Sequence, residues 1–232
     1  MVFINGKPIR NLLLLFAGIA LCIPAPSLAA DQVGPLQGVQ AIIQARISAR
    51  SPVARPEMSE ATRDVDALVG EFYGRRDFRP AWKTLPAETF VRILGEAERE
   101  GLNPDDYDRG RIRSLMAPDG YNDKGRENQA EERQADLDLL LTRSFLKYGL
   151  ALSQGRLDPE EWFFQWVPHY RPVDLLRVLA DFLENEDPEK LRQELAPRHP
   201  SYGQLRQELE AFRQIAASGG WPAIPGLKKL KR

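Results

Sequence analysis

Two adjacent glutamates, Glu160 and Glu161, stand beside a cluster of aromatic side chains, a setting in which a carboxyl group can act on a glycan. The aromatic neighbours are Trp162, Phe163 and Trp166. A glycan-cleaving enzyme would use one of the two glutamates as the general acid that protonates the leaving oxygen. The alternative is structural, because Pro159-Glu160-Glu161 is typical of the acidic first turn of a helix, where carboxylates interact with the helix dipole. We favour the structural interpretation.

A second acidic position, Asp138, lies four residues before Thr142 in a strongly apolar stretch. On a helix the two side chains share one face with Phe145 and Gly149. A buried carboxylate must find hydrogen-bond or charge partners, and a glycine permits another segment to come close. The pair is therefore either a ligand-facing acid or a structural carboxylate that bonds a loop or an incoming helix. We favour the structural role.

Other kinds of catalytic chemistry have no support in the sequence. His169 and His199 are the only histidines and lie thirty residues apart, whereas a zinc site usually needs at least two nearby nitrogen or sulfur ligands. There is no G-x-S-x-G motif and no glycine-rich phosphate loop. The sequence thus predicts no catalytic residue, no metal and no cofactor.

The stretch from 135 to 154 predicts the helix around which the chain folds. Its apolar side chains surround most of the cylinder, whereas Asp136, Arg143, Lys147 and Gln154 form one narrow stripe. Arg143 and Lys147 interrupt the apolar run before it reaches the roughly 20 residues of a membrane span. Gly155 is typical of the residue that ends a helix.

The remaining apolar spacing predicts further short helices and no alternating strand. We expect helices at about 35–50, from Ser59 to near Gly74, from Pro86 to Gly101, around Ile112, from Pro172, from Pro188 and from about Pro200 to Gly219. The polar stretch 119–132 predicts an exposed loop. The fold class is therefore all-α, a compact multi-helix domain around the central helix.

The first residues have the pattern of a cleaved signal peptide. Lys7 and Arg10 precede an apolar run from 12 to 23, and a small-x-small site at 27–29 follows. We predict cleavage after Ala29. The predicted regions are a signal peptide at 1–29, an N-terminal helix and linker at 30–58, a helical domain at 59–226 and a basic tail at 227–232.

Charge and cysteine content narrow the classes of partner. The whole chain has 32 basic and 33 acidic residues, a balance that does not indicate nucleic-acid binding. The only cysteine, Cys22, lies in the predicted signal, so we expect the mature chain to have no disulfide and no thiolate. Such a chain suits an oxidising compartment such as a bacterial periplasm, and we expect no membrane span after signal cleavage.

Six stretches in order resemble one family. They are FYGRRDFRPAW at 72–82, GLNPDDY at 101–107, ADLDLLLTRSF at 135–145, GRLDP at 155–159, HPSYGQLRQELEAFR at 199–213 and GGWPAIP at 219–225. Together they resemble the N-terminal scaffold domain of the large bacterial murein L,D-transpeptidases, enzymes with a YkuD-type cysteine catalytic domain. The resemblance covers about residues 60 to 226.

The resemblance implies a periplasmic protein of peptidoglycan metabolism. In the family, a peptidoglycan-binding domain and the catalytic cysteine domain follow the scaffold, and neither is present before the sequence ends at LKKLKR. We therefore expect a non-catalytic module that binds peptidoglycan or a periplasmic L,D-transpeptidase. The predicted contact surface consists of Tyr73, Arg75, Arg76, Phe78, Trp82, Arg156, Trp162 and Trp166.

Three alternatives remain open from the sequence. The chain could be one component of an L,D-transpeptidase whose catalytic domain is a separate polypeptide. It could be a glycan-cleaving enzyme that uses Glu160 or Glu161. It could also be a truncated remnant without function.

Overall fold

Helices account for all regular secondary structure in the part of the chain that the computed structural model describes, residues 38–50, 60–117, 127–156 and 171–221. The eight α-helices are α1 (Val39–Arg50), α2 (Glu60–Gly74), α3 (Thr84–Gly95), α4 (Arg109–Met116), α5 (Glu127–Gln154), α6 (Leu175–Asn185), α7 (Pro188–Leu195) and α8 (Pro200–Ala217). Two 3₁₀-helices, Ala97–Glu100 and Pro104–Tyr107, connect α3 to α4. The all-α prediction is confirmed.

The central helix α5 is longer than the sequence indicated. It ends at Gln154, as predicted, and the left-handed φ of 86° at Gly155 is one that glycine adopts at little cost. It begins at Glu127, however, so residues 127–132 belong to the helix and not to a loop. One reason is that Arg133 donates hydrogen bonds to the carbonyl oxygens of Leu115 (2.8 Å) and Ser114 (3.3 Å), which tie this polar first part to the end of α4.

The apolar faces of α5 are covered by α1, α2, α4, α6 and α7. Phe145 lies at the centre, fully buried, with the ring of Phe90 from α3 at 5.3 Å and that of Phe182 from α6 at 5.6 Å between centroids. Burying an aromatic side chain of this size contributes roughly 1.5–3 kcal/mol. Ile43 of α1 is also fully buried, so the helix that precedes the predicted 59–226 domain packs into the same core.

The charged stripe on α5 pairs with neighbouring elements. Asp136 forms an ion pair with Arg46 of α1, and Lys147 lies 3.5 Å from Asp108, the residue before α4. Arg143 forms the most buried of these pairs, with Asp66 of α2, whose side chain is 5% exposed. Each of these three charged residues therefore contacts a different neighbouring element of the domain.

Helix starts depend on capping side chains as well as on proline. The predicted start at Pro172 is wrong, because α6 begins at Leu175, where Asp174 accepts a hydrogen bond from the backbone N–H of Arg177 at 2.9 Å. Pro188 does start α7, with Asp187 as its cap. Pro200 starts α8, and the Nδ1 atom of His199 accepts from the backbone N–H of Ser201 at 3.2 Å.

Among the described residues, no helix joins enough length to enough apolar character for a membrane crossing. The predicted signal peptide and the predicted boundaries at 29, 58 and 226 lie outside those residues, so they remain predictions. All described residues fall within one unit of contacts, Leu36–Arg232.

Candidate functional site

Asp138 is the centre of a buried hydrogen-bond network between α5 and the segment 73–82. The side chain is 3% exposed. Its carboxylate accepts from the backbone N–H groups of Ala81 (2.9 and 3.0 Å) and Trp82 (2.9 Å), and from the hydroxyl of Tyr73 at 2.5 Å. Every contact uses the carboxylate as an acceptor, so this acid joins a loop to the helix.

Thr142 extends the same network by one helical turn. Its Oγ1 atom accepts from the indole N–H of Trp82 at 2.9 Å and lies 2.8 Å from the Tyr73 hydroxyl. Tyr73 and Trp82 are therefore both hydrogen-bonded to α5. These contacts agree with the structural role that the sequence favoured for Asp138 and Thr142.

Burial sets the protonation of the network. Desolvation raises the pKa of the Asp138 carboxyl, and the hydrogen bonds from Tyr73, Ala81 and Trp82 act in the opposite direction. Burial together with the nearby Asp138 charge raises the pKa of Tyr73 well above its ordinary value. Tyr73 therefore remains a hydrogen-bond donor at neutral pH.

The segment after α2 holds an unusual backbone conformation. Asp77 and Phe78 both have positive φ, 53° and 58°, a conformation that disfavours residues other than glycine. Several hydrogen bonds hold it in place, three of which involve Phe78 and Arg76. The N–H of Phe78 donates to the carbonyl of Tyr73 (2.8 Å), and Arg76 donates to the carbonyls of Arg79 (2.9 Å) and Pro80 (3.1 Å).

The structure separates the residues of the predicted contact surface. Tyr73 is fully buried, so its inclusion in that surface is wrong, because its hydroxyl is needed by Asp138 and Thr142. Phe78 and Trp82 are half-buried and pack against the core. The indole N–H of Trp82 donates to Thr142, and only part of the Trp82 ring is accessible to solvent.

The arginines of that surface are also placed apart. Arg75 is exposed and pairs with Glu71, whereas the Arg76 guanidinium lies 5.2 Å from the centroid of the Phe72 ring. Arg156 pairs with Asp106 at 2.6 Å. It follows the end of α5, and Thr142 and Gln154 are separated by about 18 Å along that helix, so Arg156 does not adjoin the 73–82 segment. Trp162, Trp166, Glu160, Glu161 and His169 lie outside the described residues.

A cleft that the sequence analysis missed lies between α3, the 97–100 3₁₀-helix, α5, α7 and α8. Its volume is about 330 Å³. We call it the arginine cleft, and the residues that line it are Arg92, Ile93, Glu96, Arg99, Glu100, Tyr148, Asp187, Pro188, Glu189, Leu191, Arg192 and Arg206. These residues come from separate elements of the chain, and no spacing in the sequence could have grouped them.

Most charges in the arginine cleft are paired. The pairs are Arg99 with Glu96 at 3.0 Å, Arg206 with Glu100 at 2.8 Å and Arg192 with Glu189 at 2.5 Å. Glu100 also accepts a hydrogen bond from the Tyr202 hydroxyl at 2.6 Å. Hydrogen bonds from Arg192 and Gln193 lower the pKa of Glu189 to about 2, so this carboxylate stays ionised.

Two donors in the arginine cleft have no partner among the described residues. Arg92 is exposed on α3 and forms no hydrogen bond or ion pair with them. Tyr148 is 4% exposed, and its hydroxyl likewise makes no hydrogen bond there. Burial, with the nearby Glu100 charge, raises the pKa of Tyr148, so the phenol remains protonated.

The described ranges contain no cluster of three or more His, Cys, Asp or Glu side chains with the geometry of a metal site.

Comparison with known proteins identifies the class of this all-helical domain. A family model described as "Scaffold domain" matches residues 67–209, more than half of the chain. The protein therefore belongs to the scaffold-domain family, in agreement with the resemblance to the scaffold of L,D-transpeptidases. No curated protein and no solved structure matches the chain.

Proposed function

We propose that this protein is a non-catalytic periplasmic module that acts in peptidoglycan metabolism by binding peptidoglycan or an L,D-transpeptidase. The observation that carries the proposal is the scaffold-family match over residues 67–209. A scaffold domain is distinct from the catalytic domain of these enzymes, so the match supports a role in binding rather than in bond cleavage.

The residues of the domain agree with a binding role. The only cysteine is Cys22, inside the predicted signal peptide, so no thiolate is available in the scaffold for an acyl-transfer step. Asp138, the most buried acid described, is fully engaged as a hydrogen-bond acceptor. The arginine cleft, in contrast, offers unpaired donors to a ligand.

The experiment that tests the proposal is a pull-down of the secreted protein. The full chain, with its own signal sequence and a C-terminal tag, is expressed in a Gram-negative host and recovered from the periplasmic fraction. Mass spectrometry then reports whether cleavage occurs after Ala29. The recovered protein is mixed with purified sacculi and, separately, with a periplasmic extract from which bound proteins are identified.

Recovery of the protein with sacculi, or of an L,D-transpeptidase with the protein, supports the proposal and distinguishes its two branches. A transpeptidase captured only as a catalytic domain would indicate a two-chain enzyme. Absence of binding to both, with the protein shown to be helical by circular dichroism, would contradict the proposal. Release of muropeptides from the sacculi would contradict the non-catalytic part of it.

A further inference from the structure

The arginine cleft has unsatisfied hydrogen-bonding capacity at its floor and at its rim. The Tyr148 hydroxyl is a donor on a side chain that is 4% exposed, and it has no hydrogen-bond partner among the described residues. The hydroxyl is not one of the buried unpaired atoms of the described residues, so its oxygen is accessible within the cleft that Tyr148 lines. Arg92 adds a guanidinium that forms no ion pair with the described residues, and both side chains line the same cleft. Two such donors are complementary to a carboxylate.

The charge balance of the cleft selects among anionic ligands. Its lining contains four arginines, Arg92, Arg99, Arg192 and Arg206, and four acids, Glu96, Glu100, Asp187 and Glu189. The formal charge is therefore zero. A dianion such as phosphate would gain little from such a balanced site, because the carboxylates repel it. A molecule that carries both a carboxylate and an ammonium group matches both signs of charge.

The volume of the cleft limits the size of the ligand. A volume of about 330 Å³ is near the lower end of ligand-binding pockets, which measure roughly 300–1,000 Å³. The space suits one or two amino-acid residues rather than a glycan strand. The lining also has an apolar part, Ile93 and Leu191, which can contact the aliphatic portion of an amino-acid side chain.

From these observations we infer that the arginine cleft binds the free carboxylate end of a zwitterionic amino acid or short peptide. Arg92 and Tyr148 donate to the carboxylate. Asp187, the one acid of the lining that forms no ion pair with the described residues, attracts the ammonium group. The inference deepens the proposed function and rests on it for one point, the choice of the peptide stem of peptidoglycan as the natural ligand. The cleft chemistry itself concerns any peptide of this class.

The test measures binding of a defined peptide to the full secreted protein by isothermal titration calorimetry. The probes are a synthetic peptidoglycan tetrapeptide stem, the same peptide with its carboxyl groups converted to amides, and inorganic phosphate. We expect the free stem to bind and the amidated peptide and phosphate to bind at least about tenfold more weakly, since hydrogen bonds to a charged carboxylate are stronger than those to a neutral amide.

Two substitutions locate the site. Arg92→Gln and Tyr148→Phe should each weaken binding of the stem about tenfold or more, by removing a donor to a charged group. The matched control is Arg113→Gln on α4, which removes another exposed arginine that forms no ion pair with the described residues and that does not line the cleft. Circular dichroism and thermal unfolding of all variants show whether the fold is retained.

Three results would overturn the inference: no binding of the stem at millimolar concentration, equal binding of stem and amide or of phosphate, or unchanged affinity in both cleft variants. The results that contradict the cleft assignment can be distinguished from those that contradict the proposed function. Wild-type protein that still sediments with sacculi or captures a transpeptidase keeps the proposed function while the cleft assignment falls. If the stem binds at the cleft but sacculi and transpeptidase do not, the binding chemistry stands and its source is another peptide.

Discussion

Two regions of this domain use polar side chains in opposite ways. On α5, Asp138 and Thr142 are buried and hold the segment 73–82 through hydrogen bonds to Tyr73, Ala81 and Trp82. On α8, no residue is buried, and most of the side chains that contact the rest of the domain do so through hydrogen bonds and an ion pair. The contacts on that side run from Tyr202 and Arg206 to Glu100, from Arg206 to the carbonyl of Arg99 and from Arg213 to the carbonyl of Glu98.

The difference shows what burial does to a polar contact. The Asp138 network is buried, so removal of any one partner leaves a donor or an acceptor unsatisfied in the interior, and the network specifies a single position for the loop. At α8 burial is uneven: the side chain of Glu100 is 5% exposed, but that of its partner Arg206 is 28% exposed. Water and salt can therefore replace the contacts of the exposed side chains at smaller cost than those of the Asp138 network. The same helix exposes large apolar side chains, with Leu205 67% and Phe212 57% accessible. The first region is thus part of the core, and the second is a surface helix attached by polar contacts.

The largest expected effect is that of Asp138→Ala. The substitution leaves the N–H groups of Ala81 and Trp82 and the Tyr73 hydroxyl without an acceptor, and we expect a loss of about 3–5 kcal/mol in the free energy of unfolding. The measurement is urea denaturation followed by circular dichroism. Asp136→Ala is the matched control on the same helix, because its ion pair with Arg46 is about one-third exposed; it should cost less than about 1 kcal/mol. Equal losses in the two variants would contradict the assigned role of Asp138.

Gly149→Ala should have the next largest effect. An added Cβ would lie 2.8 Å from Cδ2 of Leu175 in α6, so the Leu175 side chain would have to shift, whereas the 3.6 Å to Cδ2 of Leu195 in α7 is ordinary contact. Overpacking of this kind costs about 1–3 kcal/mol. Gly203→Ala on α8 is the control, because nothing lies within 4 Å of its Cβ position, and alanine should stabilise that helix by up to about 1 kcal/mol. An unchanged free energy of unfolding in Gly149→Ala would show that the packing around Leu175 has room for the added methyl group.

The sequence predicted the helices of these two regions more successfully than the contacts that the helices make. Periodic apolar spacing identified α5, and the four-residue interval between Asp138 and Thr142 placed both on one face. The partners of that face could not be predicted, because Tyr73 and Trp82 lie some 60 residues away and their hydroxyl and indole groups give no signal of pairing in the sequence. The same limit explains why Tyr73 was assigned to a surface.

Polarity was a poor guide where helices carry charge on their contact faces. The polar stretch around 127–132 predicted a loop, although glutamate, glutamine and alanine are good helix formers and Arg133 anchors this turn to α4. On α8, the three- and four-residue spacing of Tyr202, Leu205 and Leu209 predicted a helix correctly. It could not show that only part of this apolar stripe would face the domain. The arginine cleft was not predicted at all, since five elements that are separate in the sequence have to meet to form it.

A smaller effect is expected at alkaline pH, where the buried phenol of Tyr73 must stay protonated. Its pKa is raised in the folded state, so its contribution to stability is fully present below the ordinary value of 10.0 and is lost as the pH rises above it. One such group changes the free energy of unfolding by at most about 1.4 kcal/mol per pH unit. Tyr73→Phe should flatten this decline between pH 9.5 and 11, on the order of one group's slope, in denaturation curves recorded at successive pH values.

Tyr202→Phe is the comparison for that experiment, because Tyr202 is half-buried at the edge of α8 and donates to Glu100. Burial also raises its pKa, so its substitution should change the slope in the same direction but by less, since solvent screens the site. An unchanged slope in Tyr73→Phe would show that the phenol ionises freely in the folded protein and that the network around Asp138 is open to water.

The smallest expected changes in the free energy of unfolding are those of substitutions on α8, and they differ between its exposed side and its half-buried side. Leu205→Gln and Phe212→Gln replace exposed apolar side chains, so we expect the free energy of unfolding to change by no more than about 0.5 kcal/mol. Leu209→Gln should cost more, roughly 1 kcal/mol, because Leu209 is half-buried and lies beside Gly101. Urea denaturation measures all three. If Leu205→Gln destabilised the protein as much as Leu209→Gln, the outer face of α8 would be covered in solution, and the contrast between a buried polar network and a solvated surface helix would fail.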